Sequence, residues 1–311
     1  PNRLVASFIG GNRLLVSTTG GDIWFTSPTL SLPSSSVYTR GELAVTPANT
    51  NIVYFICSSG LSPTIYQGLH TYNWSTNSFS TLHTTPDILG GQVWFNIGLW
   101  VSTTDPNQIS AAGTPVFRST NGGTAFTADQ DILHADIHGY YYNSLDGRLY
   151  ITTDGGIAYS TNNGDTWTNI TSNLQITEYY RISGVDSNPD ILFGGSQDNA
   201  FHFRNTNTSV FQQKICCDGM DNAIEQSNTN IMYGLTQNGQ LNKSTNGGAS
   251  FVWIPPTIMN PGGEPWVTDF LIHPTTPATI FYGSVNGVLR HTSRGEPTNG
   301  WVNIGGRGTV D

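Results

Sequence analysis

Ser244-Thr-Asn246-Gly-Gly248-Ala-Ser-Phe251 is one of four copies of a pattern that recurs along the chain. The others read Ser17-Thr-Thr19-Gly-Gly21-Asp-Ile-Trp24, Ser119-Thr-Asn121-Gly-Gly123-Thr-Ala-Phe126 and Ser160-Thr-Asn162-Asn-Gly164-Asp-Thr-Trp167. The order of residue types spells strand, turn, strand. An Asn or Asp side chain in the third slot caps its own turn by accepting backbone N–H groups ahead of it. The following Gly takes a positive φ without steric cost. The Ser closes the base of the loop, and the aromatic returns to pack at the start of the next strand. The copy at Ser17 places Thr19 in the amide slot.

Working outward, a short apolar run and a Gly- or Asn-containing turn precede each copy. Leu149-Tyr-Ile-Thr-Thr-Asp-Gly-Gly-Ile-Ala-Tyr159 and Ile231-Met-Tyr-Gly-Leu-Thr-Gln-Asn-Gly-Gln-Leu241 show the pattern. Ile191–Phe203 and Ile280–Arg290, the latter closing at Trp301, keep it with a decayed turn. Ile52-Val-Tyr-Phe-Ile56 with Tyr72–Phe79 supplies a seventh unit. Units of roughly 40 to 60 residues are the length of four-stranded propeller blades. The fold expected is all-β: one seven-bladed β-propeller of four-stranded antiparallel blades over residues 1–311, with six or eight blades as the fallback. Asn2 to Ile9 is expected to enter a blade after its innermost strand, and the tail from Gly306 to Asp311 to complete that blade. Pro1 opening into strand-like sequence reads as a processed or trimmed piece of a longer protein. The four turns are identified as Asp-box, or BNR, repeats.

Composition agrees with short strands and tight turns. Charged residues make up 11% of the 311, and Gly contributes 35, a balance that suits turns and disfavours helices. The net charge of −9 comes without a basic run, so there is no nucleic-acid footprint. An acidic surface disfavours anionic lipid, and no apolar stretch reaches the ~18 residues of a membrane helix. Three cysteines make no disulfide framework. Adjacent Cys216 and Cys217 are read as buried free thiols, with a vicinal bridge as the alternative.

Asp-box turns lie at the periphery of one propeller face, so chemistry is expected on the opposite face. The turns within blades there carry Asp154, Gln197, Asp198, Asn199, Gln237, Asn238 and Asn286. The connections between blades carry Trp94, Asp129, Asp131, His134, Asp136, His138, Glu178, Tyr179, Tyr180, Arg181, Asp218, Asp221, Glu264, Trp266 and Asp269. Carboxylates, amides and aromatics with few cations suit a neutral glycan. Asp154 and Asn238 also fit plain turn caps. His134-Ala-Asp136-Ile-His138 alternates as a strand would, which puts three polar side chains on one face; they form either a metal site or a hydrogen-bonded network. Gln197-Asp198-Asn199 is either a pocket carboxylate with its amides or a plug of hydrogen bonds. No cofactor is expected; calcium at an acidic loop is the alternative.

The run His134–His138, Thr153–Ser160, Asn173–Arg181, Gly194–Asn199 and Cys217-Asp-Gly-Met220 resembles Asp-box propellers in large secreted proteins of the Bacteroidota. Many of those carry a C-terminal sorting domain for type IX secretion. The organisation is similar to sortilin and to the xyloglucan-hydrolysing glycoside hydrolases with Asp-boxes. The resemblance covers residues 110–301 well and the first third weakly. Members usually have Gly-Gly where this chain has Cys216-Cys217. The sialidase start Phe-Arg-Ile-Pro and its inward Arg triad are missing. No carboxylate matches a catalytic Asp of the xyloglucanases, which place their pair across two propellers.

The resemblance implies a secreted or surface-anchored binding or adhesion propeller that recognises a glycan or an extracellular protein. No nucleic acid or inserted membrane is expected as a partner; other domains of the same polypeptide are. A glycoside hydrolase is the alternative. It needs an acid and a base or nucleophile about 5 to 9 Å apart, for which Asp198 with Asp136 or Asp221 are the candidates. A structural spacer in a surface filament is the third reading.

Overall fold

The structure is a computed structural model that describes residues 2–7, 13–28, 39–59, 65–129, 134–174, 176–205, 210–254, 256–257 and 263–305. Seven antiparallel sheets follow one another in chain order, the blades of a seven-bladed β-propeller. Four 3-10 turns are the only helical elements among the described residues. The chain divides into two compact units, Pro1–Gln175 and Ile176–Asp311.

In the first unit, the first sheet has three strands among the described residues, Leu4–Ala6, Leu15–Ser17 and Phe25–Thr26. The strand that ends in the repeat serine is the third strand in later sheets, so these three correspond to strands two to four. That agrees with a chain entering past an innermost strand; Ile9 and the tail from Gly306 lie outside the described residues. The second sheet runs Arg40–Val45, Ile52–Ser59, Ile65–Asn73, Ser78–His83. The third runs Gly98–Val101, Ile109–Ala112, Val116–Ser119, Thr127–Ala128, and the fourth Ile137–Asn143, Arg148–Thr153, Gly156–Ser160, Thr168–Asn169.

The second unit holds three sheets. They run Tyr179–Val185, Asn188–Ser196, Phe201–Asn205, Gln212–Lys214; then Gly219–Ile224, Met232–Thr236, Gln240–Ser244, Val252–Trp253; then Phe270–Ile272, Ile280–Ser284, Gly287–His291, Val302–Asn303. Within each sheet neighbours in sequence are neighbours in space. Antiparallel order therefore puts the repeat turns on one edge and the second-to-third turns, with the sheet-to-sheet connections, on the other.

In the second sheet both faces are buried, so its second strand opens as an unbroken apolar run, Ile52-Val-Tyr-Phe-Ile-Cys57, rather than an alternating one. Val53, Phe55 and Cys57 pack toward the first sheet, while Tyr54 and Ile56 pack toward the third. A core also joins the third and fourth sheets around Val116, Ile137 and Ile151. In the second unit Phe193, Phe201 and Phe203 meet Ile224 and Met232, and Tyr233 and Leu241 meet Tyr282 and Leu289. Each such large side chain buried is worth roughly 1.5–3 kcal/mol.

The four repeats fold alike. The Ser119 Oγ accepts the Gly123 N–H at 2.9 Å and donates to the Asn121 Oδ1 at 2.8 Å, and that Oδ1 accepts the Ala125 N–H at 3.0 Å. Ser160 and Asn162 repeat this on Gly164 and Thr166, and Ser244 and Asn246 on Gly248 and Ser250. Ser17 binds Gly21, and Thr19 fills the amide slot by accepting the Ile23 N–H at 2.9 Å. Glycine is required twice over at Gly123: its φ is +84°, and a Cβ would stand 2.8 Å from Leu69 of the preceding sheet. Phe126, Trp167 and Phe251 pack into the cores between sheets. Trp24, of the first sheet, does not follow them and stays 40% exposed.

Candidate functional site

In the first unit the connection edge carries a ledge of two aromatics. Trp94 and Phe95 lie 5.6 Å apart and are 48% and 46% exposed. They close a turn in which the Phe95 and Asn96 N–H groups both donate to the Gln92 carbonyl. The Arg40 guanidinium, at the start of the second sheet, donates to the Trp94 carbonyl at 2.9 Å. Asn96 is fully buried, and its Nδ2 donates to the Asp136 carboxylate. Phe95 meets the edge of the His138 ring at 5.0 Å. The His138 Nε2 in turn pairs with the Asp154 carboxylate.

His134, Asp136 and His138 do not converge on one point. Among the described residues no group of three potential ligands is placed to hold a metal. The alternation expected of a strand starts only at Ile137, and the register slips between Ile137 and Gly139. Asp136 turns the chain with a φ of +63°. Each side chain therefore finds its own partner: His134 the Ala135 carbonyl, Asp136 Asn96, and His138 Asp154. His134 also lies over Gly155, where a Cβ would come within 2.4 Å of its ring. It lines a cleft of about 310 Å³ with Thr114 and Asp129. The Asp129 carboxylate accepts the Trp167 indole N–H at 3.0 Å. Asp131 lies outside the described residues.

In the second unit the Trp266 indole N–H donates to the Tyr180 hydroxyl at 3.3 Å, and the Trp266 carbonyl accepts the Asn238 N–H. Trp266 is half exposed. Tyr179 turns instead to His202, its hydroxyl 2.9 Å from Nδ1, and the Arg181 guanidinium donates to the Tyr180 carbonyl. Gln197 takes the Glu178 carbonyl through its own N–H, and the Asn199 amide closes back on the Gln197 carbonyl. The Asp198 N–H donates to the Asp218 carboxylate, and the Asp218 N–H to the Gln237 side chain. Glu264 is buried and accepts from Ser284 and Val285, which caps the second-to-third turn of the last sheet.

Asp221 and Asp198 have different surroundings. Asp221 is buried, one oxygen accepting the Asn222 N–H and the other the Phe270 N–H of the next sheet, both at 2.8 Å. Burial raises its carboxyl above the usual range, and the two backbone donors oppose that. Asp198 instead borders a cleft of about 330 Å³ with Ala200, Gln213, Lys214, Ile215, Cys216 and Cys217.

The two cysteines correct the sequence expectation. They are bridged to one another and exposed, not buried free thiols. The connection that carries them runs along the edge of the sheet, so neither side chain enters a core. Cys57 is the buried free thiol, and burial pushes its ionisation up to about 12.

Sequence reasoning found Trp94 but missed Phe95, Asn96 and Arg40. Phe95 adjoins Trp94 in sequence, and Asn96 follows two residues after it. Arg40, 54 residues before Trp94, left no local trace.

No family model matches the chain, and no curated protein matches it. Solved structures match over nearly all of it. A GH74 enzyme from Niastella koreensis aligns over 97% of this chain and 47% of its own, with a TM-score of 0.64 at 16% identity. A GH74 xyloglucanase from Xanthomonas campestris aligns over 98% and 47%, with a TM-score of 0.66 at 15% identity. At these identities the likeness is one of fold. The chain spans about half the length of these structures.

Proposed function

We propose that this chain is a non-catalytic binding propeller that works outside the cell and recognises a neutral glycan. The observation that carries the reading is the Trp94–Phe95 ledge, two exposed aromatics held in place by Arg40, Asn96 and the His138–Asp154 pair. Amphipathic rings on a fixed turn present apolar faces to the C–H side of a sugar at low entropic cost. The flanking carboxylate and imidazole offer hydrogen bonds to its hydroxyls. An exposed disulfide supports an oxidising compartment, as does the Asp-box reading of the four repeat turns.

The glycoside hydrolase reading is favoured by the two GH74 structures of like fold. Against it, Asp221 has both oxygens committed to backbone donors and Asp136 is tied to Asn96.

The test is titration of the chain with soluble xyloglucan, galactomannan and mixed-linkage glucan. Binding to at least one of them is expected, reduced by about tenfold, or ~1.4 kcal/mol, in Trp94→Ala and Phe95→Ala. Binding untouched by either substitution removes the ledge as the site. Release of reducing sugar from a bound polysaccharide, abolished in Asp136→Asn or Asp198→Asn, removes the non-catalytic reading.

A further inference from the structure

The second unit holds a cleft that the ledge does not explain. One wall is the Cys216–Cys217 disulfide, with Ile215 beside it. Asp198, Ala200, Gln213 and Lys214 complete its lining. The volume of about 330 Å³ stands at the lower end of the ~300–1,000 Å³ of small-ligand sites. It opens on the edge of the sheet that carries the second-to-third turns.

The backbone around it is held in costly conformations. Nine non-glycine residues have positive φ among those described, and Asp198, Ala200, Ile215 and Cys217 are four of them. A β-branched residue in that region is a steric outlier. Such outliers persist where the surroundings fix them, and they gather at ligand sites. Here the surroundings are hydrogen bonds from Ala200 N–H to the Cys217 carbonyl at 2.9 Å, from Asp198 N–H to Asp218 and from Asp218 N–H to Gln237. The bridge closes adjacent residues into a small ring, and both cysteines are exposed.

We infer that this cleft is a second binding site, built to take one residue of a neutral saccharide on the Cys216–Cys217 disulfide. Polarisable sulfur and Ile215 offer an apolar surface to the C–H face of a sugar ring. Gln213, Lys214 and Asp198 border the same cleft and carry the donors and acceptors that a ring's hydroxyls require. One positive and one negative charge leave no preference for an anion or a cation. The site is separate from the aromatic ledge and does not depend on it.

The experiment uses the Trp94→Ala/Phe95→Ala chain, so the ledge supplies no signal. The probes are cellohexaose, xylohexaose, mannohexaose and maltohexaose, titrated by calorimetry. The oxidised protein is compared with protein reduced by a phosphine and alkylated. The phosphine takes oxygen from water, the S–S bond breaks, each sulfur gains a proton, and iodoacetamide caps both thiols. The second arm is Gln213→Ala/Lys214→Ala, which keeps the bridge. The result expected is binding of at least one hexaose by the oxidised protein and a loss of about tenfold or more in both arms. Absence of binding by the oxidised protein, or a smaller loss in either arm, overturns the inference.

Discussion

The serine that opens each repeat turn ties three residues together through one oxygen. In the copy at Ser244 that oxygen accepts the buried Gly248 N–H at 3.0 Å and also the Asn246 N–H, while its own proton goes to the Asn246 side chain. Ser244→Ala leaves the Gly248 donor without its partner, a loss of about 2 kcal/mol. Urea unfolding of the variant against the wild type measures it; a change below ~0.5 kcal/mol would mean that Asn246 holds the turn alone. Cys57 makes the complementary case. Its thiol, pushed up to about 12 by burial, stays protonated at neutral pH, and the thiolate is the reacting form. Reduced and alkylated in the native state, the protein is expected to take two labels, at Cys216 and Cys217. A third, at Cys57, is expected only after unfolding. Intact-mass spectrometry reads the difference.

At the scale of the element, the last sheet shows how a turn survives the loss of its signature. His291 stands where the serine would be. Its Nδ1 accepts the Ser293 and Gly295 N–H groups at 2.9 and 3.1 Å, and its Nε2–H donates to the Pro297 carbonyl. The turn that reads as decayed in sequence is thus the same turn made with imidazole. His291→Leu strands those donors and is expected to cost about 2–3 kcal/mol in urea unfolding, against little change if the turn were held otherwise. The same turn places Arg294 on Glu225 of the sheet before it, through two hydrogen bonds of 2.8 and 2.9 Å. The guanidinium holds the buried carboxyl below its usual 4.5. A lowered folded value means stability present above pH 4.5 and lost as pH falls through the lowered value. Arg294→Met is therefore expected to destabilise by about 2 kcal/mol at pH 7, discounted because Arg294 is one-third exposed. The gap should narrow as pH falls below 4.5 and close once Glu225 is protonated in the wild type as well. An equal penalty at neutral and acidic pH would assign the loss to packing instead.

For the whole molecule the governing quantities are few charges and a net −9. A chain of this balance attracts a charged ligand only through a field that salt screens. A neutral glycan feels no such field. Affinity for any bound polysaccharide is accordingly expected to stay within about twofold between 0.05 and 0.5 M salt, since screening acts on charge pairs and not on stacking. A steep fall would point to an ionic partner in place of a neutral one. Nothing in this behaviour depends on which sheet bears the site, and so it belongs to the chain as a whole.

Sequence alone determined the features built from neighbours. Each repeat turn closes between residues two and four apart, as at Ser119, Asn121 and Gly123, so its chemistry is written in consecutive letters. The same locality made seven sheets countable, because each strand pairs with the next in line. The site is of another kind. Arg40 reaches Trp94 across 54 positions and Asn96 reaches Asp136 across 40. Those pairs come from which sheets abut and where a strand starts. A single positive φ at Asp136 and a register slip after it were enough to send His134, Asp136 and His138 to three different partners. Only the tertiary structure decided that, because a side chain's direction depends on backbone turns whose cost is met by contacts far away in the sequence.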